Sequence, residues 1–165
     1  MSRTGFVLLA AVFVTFLGAI PLTMSSQEIL TTMVMSLDLA HGIAMAALEQ
    51  CRSQGYHVVV IVMDTNANIT VMLRDDGTAP RTVDTTRRKA YTALSFRGTS
   101  REQVKIWENQ KNPNITADMV ALPGGVAIKA GDDLLGAICV SGAPGSDKDE
   151  PCALAVVAKY ADKLK

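Results

Sequence analysis

The segment His57–Asp64 reads HVVVIVMD, and it constrains the fold of this chain more than any other stretch. Val58 to Val62 are all β-branched, and no polar residue interrupts the run before Asp64. A half-buried strand alternates apolar and polar residues, because successive side chains point to opposite faces. Here both faces are apolar, so the strand has to be covered on both sides.

The flanking residues indicate what covers it. Thr65–Asn68 reads as a turn, with Asn66 and Asn68 the residues suited to positive φ, and Ile69–Arg74 as the returning strand of a hairpin. Upstream, Ser36–Gln54 has a helical stripe of Leu37, Ala40, Ala44, Ala47, Leu48 and Cys51, with Ser36 as its cap and Gly55 at its stop. Helices are expected over Val83–Phe96, Ser100–Asn109 and Asp149–Lys163, the last with Ala153, Val156, Val157 and Tyr160 inward. Asn112–Asn114 carries a proline and breaks the helical pattern. Val126–Lys129 and Leu134–Ser141 read as a second strand pair around a Gly131–Asp133 turn. The order α-β-β-α-α-β-β-α indicates an antiparallel sheet between helical layers, an α/β (α+β) fold rather than a doubly wound one.

At 165 residues the chain is one domain of ordinary size. Its formal charge is zero, and three Tyr, four Phe and one Trp leave little stacking surface, so nucleic acid is not an expected partner. Residues 1–26 are set apart: Arg3 precedes an apolar run, Gly5–Ile20, and a polar exit follows at Ser25–Gln27. This is the pattern of a signal peptide, or of an N-terminal anchor if uncleaved, and it implies a periplasmic or secreted protein. The run is short for a membrane span, so a membrane is involved only through an uncleaved N-terminus. Export permits disulfides. Cys139 and Cys152 flank one loop and are placed to pair, but two small buried thiols are the preferred reading. No C-x-x-C occurs.

Several stretches in order carry a family resemblance: VVIVMDTNANITVMLRDDGTAP, RRKAYTAL, LPGGVAI and GDDLLGAICVSGAPGSDKDEPCA. Together they resemble the GlcG/HbpS family of haem-binding-like proteins, also known as DUF336, from Leu37 to Lys163. The resemblance implies a profilin-like single domain over residues 27–165, with an antiparallel sheet of about five strands flanked by helices. It also implies symmetric homo-oligomers, octamers among them. Some members of the family are exported and bind haem, and others stand beside glycolate-oxidation enzymes. The chain departs from the pattern at Asn66-Ala67-Asn68, where the turn usually has glycine, at Ala127 in place of proline, and at Cys139 in place of glycine.

The chemistry-bearing residues are few. His41, at the edge of the first helix's apolar stripe, is the first candidate for a haem iron ligand; His57, opening a strand after a turn, is the second. The resemblance carries Arg74 (from R-x-D-G) and Lys89 (from K-A-x-T-A) into a conserved pocket, where they would hold haem propionates or a small carboxylate. Ser141 lacks a nucleophile elbow, and the Asp147–Glu150 loop lacks EF-hand spacing. The glycines Gly124, Gly125, Gly136 and Gly142 indicate sharp turns or close backbone approach, to the chain itself or to a subunit neighbour. The expected function is an exported binding or sensing protein for haem or a related tetrapyrrole. Two alternatives are an enzyme or accessory acting on a small carboxylate, and an oligomeric partner of a sensor protein.

Overall fold

The Val-rich run is the second strand from one edge of the sheet and is covered on both sides. A computed structural model describes residues 31–109 and 115–165. In chain order the elements are α1 (Leu37–Arg52), β1 (Val59–Met63), β2 (Ile69–Arg74), α2 (Arg81–Phe96), α3 (Ser100–Glu108), β3 (Gly125–Ala130), β4 (Asp133–Ser141) and α4 (Ser146–Lys159). A short 3-10 turn, Ala161–Lys163, follows α4. The signal-like stretch 1–26 and the proline break Asn112–Asn114 lie outside the described residues.

The strands run in the order β2-β1-β4-β3 and every neighbouring pair is antiparallel. The α+β sheet-and-helix architecture read from the sequence is therefore the one formed. The described residues form four strands rather than about five. The outer edge of β3 is met by the Gly98–Ser100 segment, through a Thr99–Val126 bridge, the Ala127 amide donating to the Gly98 carbonyl at 2.9 Å and the Gly125 amide donating to Ser100 Oγ at 2.8 Å.

Side-chain alternation divides the core. Val58, Val60, Val62, Ile138 and Val140 face α1 and α4, whereas Val59, Ile61, Met63 and Cys139 pack with Ala90 of α2. The whole of β1 is buried because it is sandwiched this way. In α1, Ser36 accepts the Leu39 amide at 3.2 Å as the N-cap. Leu37 departs from the expected stripe and is exposed, while Ala40, Ile43, Ala44, Ala47, Leu48 and Cys51 are buried.

Two local expectations are corrected. At the β1–β2 turn, Ala67 takes the positive φ, 64°, rather than either asparagine. The Asp64 carboxylate supports that turn by accepting the amides of Asn66 and Asn68 at 2.8 and 2.9 Å. The cysteines pair as Cys51–Cys152, neither as Cys139–Cys152 nor as free thiols. The last turn of α1 lies against α4 on one face of the sheet, which brings those Cα atoms to 5.7 Å. Cys139 points to the opposite face and stays a buried thiol, its pKa pushed well above the ordinary value by burial.

Candidate functional site

At one end of the sheet four segments leave a cleft of about 440 Å³. They are the turn before β1, the loop after β2 with the start of α2, the end of β4, and the loop that leads into α4. This size falls within the range of small-molecule sites. Tyr56, Ala79, Ala143 and Pro144 supply apolar lining, while His57, Arg81, Lys89, Ser141, Ser146 and Asp149 supply polar groups.

One wall is a buried ion pair. Lys89, in the middle of α2, is fully buried, and its Nζ donates to Asp149 Oδ2 at 2.9 Å. The same ammonium reaches Ser141 Oγ at 3.1 Å and Ser146 Oγ at 3.4 Å. Asp149 Oδ1 accepts the Ala143 amide at 2.9 Å, so the pair also holds the loop into α4. Burial pushes the Asp149 carboxyl above the usual range, although Lys89 and the backbone donors act in the opposite direction.

The glycine pair Gly124-Gly125 is explained by this wall. A Cβ on Gly125 would run into the Lys89 carbonyl, and one on Gly124 would come within 2.5 Å of the Val140 carbonyl of β4, besides lying 3.2 Å from Asp149 Cβ and 3.3 Å from Lys89 Nζ. The bare backbone accommodates the chain's own neighbouring strand, helix and ion pair.

His57, another lining residue, is backed by a charge-linked trio from three segments, of which it alone lines the cleft. Arg52, at the end of α1, donates Nη2 to Asp75 Oδ1 at 2.6 Å and Nε to Oδ2 at 3.1 Å. Asp75 is buried in the loop after β2, and His57 Nδ1 lies 3.2 Å from its Oδ2. The hydrogen bonds from Arg52 are the main reason the Asp75 carboxyl is lowered to about 2, against the opposing effect of burial. Because this folded value lies below the unfolded one, the ionised group contributes stability in full above about pH 4 and loses it as pH falls towards about 2. Asp75→Asn is accordingly expected to be less stable than the parent at pH 7. Urea titrations at pH 7, 4 and 2.5 should show that difference narrowing below about pH 4; a constant difference would contradict the assignment.

Of the four residues singled out in the sequence, His57 and Lys89 line the cleft, whereas Arg74 and His41 do not. Lys89 lines the cleft, but its charge is already engaged by Asp149. Arg74 is exposed outside the cleft, and its Nη2 donates to the Thr78 carbonyl at 2.5 Å, closing its own loop. His41 is exposed on α1, which covers the face of the sheet opposite α2, and it is not part of the cleft lining. Arg81, Asp75, Asp149 and the Cys51–Cys152 link carry roles that the sequence reading did not assign. Of the Lys89–Asp149 wall, the resemblance pointed to Lys89 alone, and the glycines indicated only that backbone approaches closely there.

Two helices begin at the cleft without a side-chain cap: α2 after Pro80 and α4 after Gly145. The positive dipole ends of such helices favour anions, although the Thr82, Val83 and Lys148 amides already donate to the Ala79, Pro80 and Gly145 carbonyls. Arg81 adds a cation that has no carboxylate partner among the described residues. The arrangement is suited to a carboxylate-bearing ligand.

Comparison with known proteins agrees with this architecture. The family model described as "Haem degrading protein HbpS-like" matches residues 35–158. A double mutant of HbpS from Streptomyces reticuli is 33% identical, with a TM-score of 0.76, over 86% of this chain and 97% of that one. Protein GlcG of Escherichia coli (strain K12) is 27% identical over 112 residues, 67% of this chain and 84% of GlcG. The PduOC:heme complex, at 22% identity and a TM-score of 0.68 over 76% of this chain and 94% of that one, shares the fold. With the family model matched across nearly the whole described domain, the chain belongs to the GlcG/HbpS family.

Proposed function

We propose that this chain is an exported small-ligand-binding protein whose ligand is haem or a related tetrapyrrole. The observation that carries the reading is the convergence, in one cleft of an HbpS-like protein, of Arg81, two uncapped helix N-termini and an imidazole. Arg81 and the helix ends fit the carboxylates of such a ligand. Tyr56, Ala79, Ala143 and Pro144 provide apolar contact for its ring, and the imidazole is a nitrogen base of the kind that binds iron. When bound, haem would supply a redox-active iron. Export is supported by the signal-like N-terminal pattern and by the oxidised Cys51–Cys152 pair, which suits an oxidising compartment.

Titrating the purified protein with hemin tests the proposal. A Soret shift that saturates is expected, and Arg81→Ala should weaken binding about tenfold, the effect of losing one charge-assisted contact. Absence of any Soret shift would overturn the reading.

The mostly polar lining favours one second reading, a site for a small carboxylate, as in an enzyme or an accessory to one. Thermal stabilisation by small acids but not by hemin would select it. Homo-oligomerisation or contact with a sensor protein is compatible with either ligand. Ile69, Met72, Phe96 and Leu154 are exposed apolar residues available for such contacts.

A further inference from the structure

We propose that His57 is the imidazole that meets the iron of the bound ligand, with Asp75 and Arg52 as the residues that position it. This inference rests on the haem reading and deepens it. Asp75 is almost fully buried, and both its oxygens accept from the Arg52 guanidinium in a bidentate contact. A carboxylate only accepts hydrogen bonds, so the His57 Nδ1 at 3.2 Å from Asp75 Oδ2 carries the hydrogen. In the neutral ring the lone pair is then on Nε2. That nitrogen has no protein partner among the described residues, and the ring, 67% exposed, lines the cleft. An imidazole oriented by a carboxylate through one nitrogen and bare at the other is the arrangement that metal-binding histidines use.

The position of His57 is set from several directions. Its backbone lies against Gly142, where a Cβ would come within 2.7 Å of the His57 carbonyl. This seats the histidine beside the loop into α4, on the same cleft as Arg81. The iron-binding base and the carboxylate-binding groups are thus presented to one ligand. His41 shares none of these features: it is exposed on α1 and lines no part of the cleft.

The full chain, titrated with hemin and followed by its Soret band and electron paramagnetic resonance, tests the assignment in the parent, His57→Ala, His41→Ala and Asp75→Asn proteins. His57→Ala is expected to shift the Soret band and lose the nitrogen-ligand signature, with added imidazole restoring both. His41→Ala should match the parent. Asp75→Asn should keep the spectrum but bind about 10–100-fold more weakly, the usual cost of losing the partner behind a ligand. Without hemin, nitrogen-15 spectra should show His57 protonated at Nδ1, a preference lost in Asp75→Asn. If the parent binds hemin and His57→Ala gives the same spectrum, this assignment falls and the haem reading stands. If the parent gives no Soret shift, both fall.

Discussion

Replacing Lys89 with methionine is expected to destabilise the protein by about 3–5 kcal/mol, because it strands the Asp149 carboxylate in the interior. Lys89 is wholly buried and Asp149 nearly so. The ammonium makes three contacts at once, and Asp149 passes the connection on to Ala143. Domains of this size are stable by about 5–15 kcal/mol, so such a loss would be a large part of the total. Urea unfolding of Lys89→Met measures it. The double variant Lys89→Met/Asp149→Asn should recover much of the loss, because the amide keeps an acceptor for Ala143 and carries no charge. A loss below about 1 kcal/mol in the single variant would show that the pair is not the support described here.

The second large effect concerns the link between α1 and α4. Cys51 and Cys152 are 101 residues apart in sequence, and both are fully buried. Closing a loop of that length restricts the unfolded chain enough to be worth about 4–5 kcal/mol in the chain-entropy model. The Cys51→Ser/Cys152→Ser protein should therefore unfold at markedly lower urea, and the parent in reductant should approach it. A midpoint unchanged by either treatment would rule out a structural role for the bond.

Placement makes this link matter to the cleft. Cys51 precedes Arg52, which holds Asp75 and through it His57, while Cys152 lies one turn after Asp149. The bond thus ties the helix that carries Arg52 to the helix that carries Asp149. Because Asp149 and Cys152 share a helix, the two losses should not simply add.

Much of the fold was legible without coordinates. Ile69–Arg74 forms a strand with the limits its pattern indicated, and the α1 stripe from Ala40 to Cys51 faces inward as its spacing required. α4 starts at Ser146, three residues before the expected Asp149, with Pro151 inside the helix. As the sixth residue of the helix, Pro151 lies beyond the first turn and lacks the amide that would bond to the Asp147 carbonyl, which is why the sequence pattern indicated a later start. The site was legible only in fragments. Lys89 was located in a pocket by resemblance, but its partner lies 60 positions away on another helix, and no spacing rule connects them. No sequence pattern set Asp75 apart from its charged neighbours, whereas burial and Arg52 make it the anchor of His57.

What the sequence by itself determined is local: which residues form helices and strands, which faces are apolar, and that β1 must be covered on both sides. Those properties follow from side-chain direction, which repeats every 3.6 or 2 residues whatever the rest of the chain does. Tertiary structure alone decided which charges meet, which cysteines pair and which histidine faces the cleft. α1 and α2 lie on opposite faces of one sheet, so His41 and Lys89 are separated while Cys51 and Cys152 meet. Contacts between remote segments depend on how the layers stack, and no local period encodes that.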